Sequence, residues 1–412
     1  MWYSYAVQSN ELIARIQKAI REEGLDGWLF CNFHHRDRLA DKILSRPRDL
    51  VNSRYWFYAV PVSGDPLALV HAIEADHLDG LPGTDQSYTG REELLKLLTP
   101  LAGKRWAVHV SENISAVSFL DAGMYAVLSG AGLKLVSAEG LLQRFNGVLD
   151  EEGIASHERA AAALYGIVKK VWDFVRSAYR KGTGIFEGEL RRIMEDEMDR
   201  LNLERDYPPL AAAGINTANP HYHFADPGAA IREGDIIQLD LWAKEPGGIY
   251  ADISWVGVYG KRAGPEAEKT FDDLVKVREE VLGFIDTSFN EQKTLTGAEV
   301  DAYCRSLLCA GGYAGAIKHR TGHGIDTDVH GSGVNLDSVE FPDTRRLLEG
   351  SCFSVEPGIY LSGCGFRTEV DVYIKDGRPR ISGGESSIMP VRPVEYAGYG
   401  AERGRQFSLL SC

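Results

Sequence analysis

Apolar residues recur along the first part of the chain in two alternating rhythms, one helical and one extended. Residues 10–24, NELIARIQKAIREEG, set Leu12, Ile13, Ile16 and Ile20 at helical spacing, and Gly24 follows as the stop. The strand pattern DGWLFCNF comes next; YWFYAVPV and LALVHAIE are two more, separated by a Ser-Gly-Asp-Pro turn. Helical REELLKLLTPLA leads into the strand RWAVHVS, and LKLVSAEGLLQRF closes the region. Strands interleaved with helices predict an α/β layer domain over residues 1–150.

Leu149–Ala155, LDEEGIA, has no periodicity and marks the expected boundary. From Ser156, read as an N-cap, one long apolar stripe runs through Leu164, Ile167, Val168, Val171, Trp172 and Val175 and stops at Gly182. FEGELRRIMEDEMDRLN, PEAEKTFDDLVKVREEVLGFID and TGAEVDAYCRSLLCAGG are further helical patterns. Between the second and third of these four lies GDIIQLDLWAKEPGGIYADISWVGV, Gly234 to Val258, two alternating strands around a Glu-Pro-Gly-Gly turn and therefore a β-hairpin. His319 to Pro390 reads as strands and loops, and residues 391–412 as a weakly patterned tail expected to be mobile.

The hairpin carries two charges that its apolar pattern does not explain. Pairing symmetric about Pro246 would set Asp240 directly opposite Asp252, with Cβ atoms about 5 Å apart, an unfavourable arrangement that a bridging cation reverses. CFSVEPGIYLSGCGFRTEVDVYI repeats the theme: alternation puts Arg367, Glu369 and Asp371 on one face, and an antiparallel return brings Glu356 beside Glu369. HRTGHGIDTDVHG holds His323 between two glycines, with His330 seven residues on; it is not the H-E-x-x-H of helical zinc proteases. NTANPHYHF adds His221 and His223. Asp240, Asp252, Glu356 and Glu369 together carry the charge that two divalent cations neutralise, and one imidazole, His323, among oxygen ligands suits Mn²⁺, Fe²⁺, Co²⁺ or Zn²⁺. In such a two-metal site a bridging water ionises near neutral pH and attacks a polarised carbonyl.

Composition narrows the partners. A net charge of −14 and a pI near 5.3 argue against a polyanionic partner such as nucleic acid. No apolar run reaches transmembrane length and the first residues lack a signal-peptide pattern, so the expectation is a cytoplasmic protein without a membrane partner. The six cysteines are scattered, which is neither a disulfide framework nor a zinc ribbon.

The order Asp, Asp, His, Glu, Glu in the contexts LDLWAKEPGGIYADISW, TGHGI, VEPG and RTEVDV resembles the creatinase, prolidase and methionine aminopeptidase superfamily, the pita-bread metallopeptidases. Residues 1–150 resemble, by helix and strand order, the N-terminal domain of the prolidase, Xaa-Pro aminopeptidase and creatinase branch, which methionine aminopeptidases lack. The resemblance implies an α/β domain for substrate access and dimerisation over 1–150, an α+β pita-bread catalytic domain over 156–390, and the 391–412 tail. It also implies two divalent ions, Mn²⁺ first and Co²⁺, Zn²⁺ or Fe²⁺ as alternatives, held by Asp240, Asp252, His323, Glu356 and Glu369, with Asp252 and Glu369 bridging. Glu356 would take the proton of the nucleophilic water and return it to the leaving amine, and His330 would hydrogen-bond the substrate carbonyl or oxyanion. For an upstream histidine of the family pattern, Asn216-x-x-x-Pro220-His221-Tyr222 fits the context and His223 the distance to Asp240, so His221 is the first choice and His223 its rival. Arg367 matches an arginine common beside the last glutamate, where it would position a ligand or the site carboxylates.

Three departures from the family pattern bear on the substrate pocket: Asp326 in place of a glycine, Gly331 where an acid is common after His330, and an aspartate spacing one residue longer. The implied function is a homodimeric, dinuclear hydrolase of the N-terminal peptide bond of dipeptides or short peptides, an Xaa-Pro dipeptidase or aminopeptidase using a metal-bridging hydroxide. Two other readings use the same fold: a creatinase-like metal-free C–N hydrolase or small-molecule lyase, and an inactive peptide-binding module. The arginine-rich stretch from His34 to Arg54, with Arg38, Arg46, Arg48 and Arg54, is a candidate to reach a partner's site and read a substrate carboxylate.

Overall fold

A computed structural model describes residues 2–383 and 394–396 of the chain, with side chains from Asn10 to Gly383. The rest of the expected 391–412 tail lies outside the described residues. The chain divides into two compact units, Met1–Asn146 and Gly147–Cys412.

In the first unit, strands β1 (Gly27–Asn32), β2 (Trp56–Pro61), β3 (Leu67–His71), β4 (Thr84–Tyr88), β5 (Arg105–Val108) and β6 (Lys134–Ser137) form a mixed sheet in the order β4-β3-β2-β1-β5-β6. Helices α1 (Trp2–Glu22), α2 (Arg38–Ile43), α3 (Arg91–Leu98), α4 (Ala122–Gly130) and α5 (Glu139–Asn146) complete it. Alternation along β1 and β2 sends Trp28, Phe30, Trp56 and Tyr58 into one core and Leu29 and Phe57 into another, so the sheet is buried on both faces. The α/β expectation holds. β4, TDQSY, was not legible because only Tyr88 among its residues is buried. The arginine-rich stretch contains α2, and Arg46 turns inward: it is buried and donates to the carbonyls of Leu44 and Asp79 at 2.9 and 3.0 Å. Arg46 is therefore unavailable to a substrate, whereas Arg48 and Arg54 are exposed.

The second unit opens with α6 (Glu151–Lys181), and its cap corrects the sequence reading. Asp150, not Ser156, is the N-cap, accepting from the Gly153 amide at 2.8 Å, and the acidic Glu151 and Glu152 that looked patternless form the first turn. Ser156 lies inside the helix, where its hydroxyl accepts from the Ile249 amide at 3.2 Å. Helix α7 (Glu187–Arg200) follows, and later α8 (Pro265–Asn290) and α9 (Gly297–Ala310). The short β7 (Ile185–Phe186) pairs with β9 (Ala230–Ile231). The main sheet is built on β10 (Ile236–Ala243) and β11 (Ala251–Val258), flanked by β8 (Leu210–Ala213) beside β10 and by Val394–Tyr396 beside β11. A second, smaller sheet joins β12 (Cys352–Val355), β15 (Val370–Lys375) and β16 (Arg378–Ile381), and β13 (Gly358–Tyr360) pairs with β14 (Gly365–Arg367).

The hairpin has two differently used faces. Leu239, Leu241, Ile253 and Trp255 pack with Leu164, Val168, Val171 and Trp172 of α6, each fully buried aliphatic side chain contributing about 1.5–3 kcal/mol. The opposite face carries Gln238, Asp240, Trp242, Asp252 and Ser254 by strand periodicity. Pairing is symmetric about Gly247, not Pro246: Asp240 faces Ser254, and Asp252 faces Trp242. The expectation of directly opposed aspartates is thus corrected to a diagonal pair on one face. This offset lowers the repulsion of two bare carboxylates and sets a hydroxyl across from one of them.

Candidate metal centre

Three segments converge on that polar face. The hairpin brings Asp240 and Asp252. In the smaller sheet, Val355 pairs with Val370, so the next rung carries Glu356 and Glu369 side by side, as an antiparallel return implies. The Glu369 amide donates to Ser254 O at 3.3 Å, which ties this rung to the hairpin. His323 comes from the loop after α9, which lies against β12: the Ser354 amide donates to His323 O at 2.9 Å and the His323 amide to Ser354 Oγ at 3.0 Å. Glycine at 322 makes this approach possible, since a Cβ there would sit 2.0 Å from Ser354 O.

Ligand-type atoms of Asp252, His323 and Glu369 lie within 4.8 Å of one another, and all three residues are buried. Burial first, then the charges of neighbouring carboxylates, pushes Asp252 and Glu369 well above the usual carboxylate range. Asp252 Oδ1 and Glu369 Oε1 are buried without a hydrogen-bond partner. His323 Nδ1 lies 3.3 Å from Gly324 O, which can only accept, so the proton belongs on Nδ1 and the Nε2 lone pair faces Asp252 Oδ2 at 3.6 Å and Glu356 Oε1 at 3.5 Å. Lone pairs facing lone pairs in a buried site are what a hard divalent cation satisfies, so the donor set fits a metal. Asp240 and Glu356 sit at the more open side beside Arg367. The guanidinium pairs with Asp240 Oδ2 and stands 4.0 Å from Glu356 Oε2, while Ser254 Oγ donates to Asp240 Oδ1 at 2.5 Å. Burial opposes the charge on Arg367, but these facing carboxylates hold it firmly protonated.

The histidines divide. The His330 ring lies 4.3 Å from that of His323 at a steep angle; the repulsion of a second imidazolium there, with burial, lowers its pKa to about 3. His221 is close enough to His319 and His330 to lower both further, while His221 and His223 are themselves exposed.

Sequence reasoning missed a chain of groups behind Arg367. His319 Nε2 lies 2.8 Å from Tyr360 Oη, which is 3.3 Å from Arg367 Nη1. Since His319 Nδ1 faces Arg320 O at 2.7 Å, Nε2 accepts from Tyr360, whose oxygen accepts from the guanidinium. Burial, followed by the charge of Arg367, lowers His319 to about 4, so this imidazole is neutral. Asp371, noted only for its strand face, accepts from the Asp252 amide at 2.7 Å. A signal existed for His319, an imidazole ahead of the Gly-His-Gly turn; Tyr360 and Ser254 offered none beyond ordinary strand residues.

Residues 155–376, more than half of the chain, match the family described as metallopeptidase family M24. The chain belongs to metallopeptidase family M24. Over 178 residues this M24 chain is 31% identical to the Xaa-Pro dipeptidase of Lactobacillus helveticus, a stretch covering 42% of the chain and 44% of that relative. The chain thus spans about half the length of the curated relatives it matches, 46% in the case of one from Mycoplasma pneumoniae. Its fold is similar to the crystal structure of dipeptidase PepE from Mycobacterium ulcerans, with a TM-score of 0.72, 19% identity, and 95% and 98% of the two chains covered. It is also similar to an Xaa-Pro dipeptidase structure from Bacillus anthracis, with a TM-score of 0.64, 19% identity, and 91% and 98% covered. The M24 chain thus carries the expected architecture, an α/β unit followed by a mixed α and β unit. Among the described residues no helix is long and apolar enough to cross a membrane.

Proposed function

We propose that this M24 chain is a metal-dependent peptidase that cleaves the N-terminal peptide bond of dipeptides or short peptides with proline after the scissile bond. The observation that carries the reading is the pair of buried, unpartnered oxygens on Asp252 and Glu369 beside the bare Nε2 side of His323. Asp240, Asp252, His323, Glu356 and Glu369 would hold two divalent ions, Mn²⁺ first among them. When bound, such ions polarise the scissile carbonyl and ease deprotonation of the attacking water. Glu356 takes the proton from that water and returns it to the leaving amine. His330, with its pKa at about 3, is neutral near pH 7, so it donates a hydrogen bond to the carbonyl oxygen as negative charge develops. His221, on the open side near His330, is the second substrate-facing imidazole. Arg367 holds Asp240 in place and is itself braced by Tyr360 and His319. A homodimer, a cytoplasmic setting, and division into an access domain over 1–150, a catalytic domain over 156–390 and a tail complete the proposal.

The test is a panel of Xaa-Pro and non-proline dipeptides and tripeptides with Mn²⁺, Co²⁺ or Zn²⁺, read by mass spectrometry. Release of the N-terminal residue from Xaa-Pro substrates, abolished by a chelator and restored by metal, is expected. No cleavage in any metal, or cleavage indifferent to chelation, contradicts the reading.

A further inference from the structure

One buried carboxylate outside the candidate ligands is turned wholly on the loop that carries His330. Asp326 Oδ2 accepts from the Ser332 amide at 2.8 Å and the Ser332 hydroxyl at 2.7 Å, and Oδ1 accepts from the Asp328 amide at 2.8 Å. Its own amide donates to Asp328 O at 3.1 Å, and its carbonyl accepts from the Tyr250 amide at 3.0 Å. One residue therefore ties the beginning of the loop to its end, and ties both to the hairpin two residues before Asp252. The Gly331 amide, donating to Gly324 O at 2.7 Å, fixes the same loop to the backbone beside His323. Gly331 also abuts Asp326: a Cβ at 331 would lie 2.6 Å from Asp326 Cγ, 2.8 Å from Oδ2 and 2.9 Å from the Asp326 amide nitrogen. The Asp326 carboxylate, held where it is, thus requires a residue without a side chain at 331, because a packed interior has no room for a Cβ beside it.

We propose that Asp326 and Gly331 form a coupled clamp that holds the His330 imidazole in place against His323, making Asp326 a positioning residue that acts through His330. Its kinetic consequence rests on the peptidase reading; the clamp itself does not. A group that must meet developing charge loses about a hundredfold in rate when it is misplaced by about 1 Å, so the loop anchor should be visible in kcat.

Gly331→Ala forces a methyl group into the carboxylate and should lower kcat about ten- to a hundredfold with KM within about twofold and metal content unchanged. Asp326→Gly should lower kcat similarly, and Gly331→Ala should then cost clearly less than it does in the unaltered protein, only the contact with the residue 326 amide nitrogen remaining, a non-additive cycle. In a His330→Ala background, Asp326→Gly should leave kcat unchanged, which a merely structural role would not produce. Amide hydrogen exchange at Asp328 and Ser332 should quicken by about tenfold or more in either single variant, a readout independent of activity. Asp326→Ala, which likewise removes Cγ and both oxygens, serves if Asp326→Gly does not fold. Equal cost of Gly331→Ala in both backgrounds, or unchanged exchange, overturns the clamp. Absence of peptidase activity in the unaltered protein overturns the peptidase reading instead, and exchange alone then decides the clamp.

Discussion

Ser254 stands directly across the hairpin from Asp240 and donates its hydroxyl to Asp240 Oδ1 at 2.5 Å, while Ser254 Oγ itself accepts from Arg367 Nε at 2.9 Å. One hydroxyl thus aims both a candidate metal ligand and the guanidinium paired with it. Groups that orient ligands in this way are worth about 10–100-fold in metal affinity. Ser254→Ala should therefore weaken Mn²⁺ binding by about that factor with the fold intact, measured by competition against a chelating dye. Unchanged affinity would show that Asp240 needs no such brace.

His330 is proposed to meet the substrate carbonyl rather than a metal, and removing it separates those roles. His330→Ala should lower kcat by about 10²–10³, the usual effect of losing an oxyanion donor, with metal stoichiometry unaltered. Steady-state kinetics beside metal analysis reads both. A loss of bound metal would instead make His330 a ligand.

His157 supplies a pH dependence distinct from the centre. It is fully buried, with Nδ1 2.6 Å from Tyr250 O and Nε2 2.6 Å from Ser382 Oγ, and with Asp371 and the Cys352 thiol also facing the ring. Burial holds its pKa below the ordinary value, outweighing the Tyr250 hydrogen bond and the Glu158 charge. The unfolded chain takes up this proton near pH 6.5, roughly the free histidine value, and the folded chain only lower down. The stability is therefore complete above about pH 6.5 and is lost as pH falls through the lowered pKa, by at most about 1.4 kcal/mol per pH unit. Urea unfolding of the wild type and His157→Gln between pH 7 and 5 should show a shallower decline in the variant. Parallel curves would contradict the assignment.

Much of this molecule was legible where a period was at work. The 2-residue alternation in FRTEVDVYI assigned the strand faces, and an antiparallel return through Leu361 to Gly365 then set Glu356 beside Glu369, in line with the observed pairing of Val355 with Val370. The hairpin faces were legible for the same reason. Its register was not, since turn geometry decides between centring on Pro246 and on Gly247, and that shift replaced Asp252 by Ser254 as the partner of Asp240. The start of α6 was missed because Asp150 and the acidic turn after it carry few apolar residues. Tyr360, His319 and Asp326 acquire their partners only when segments distant in sequence meet. Asp326 and Gly331 looked like two separate departures along the chain, and their contact makes them one feature.

Metal stoichiometry tests the central claim most directly. Equilibrium dialysis against Mn²⁺, followed by elemental analysis, should give two ions per chain in the wild type and fewer than one in Asp252→Asn, with both proteins folded. A wild type that binds no metal, or an Asp252→Asn variant that binds as much as the wild type, would contradict the account.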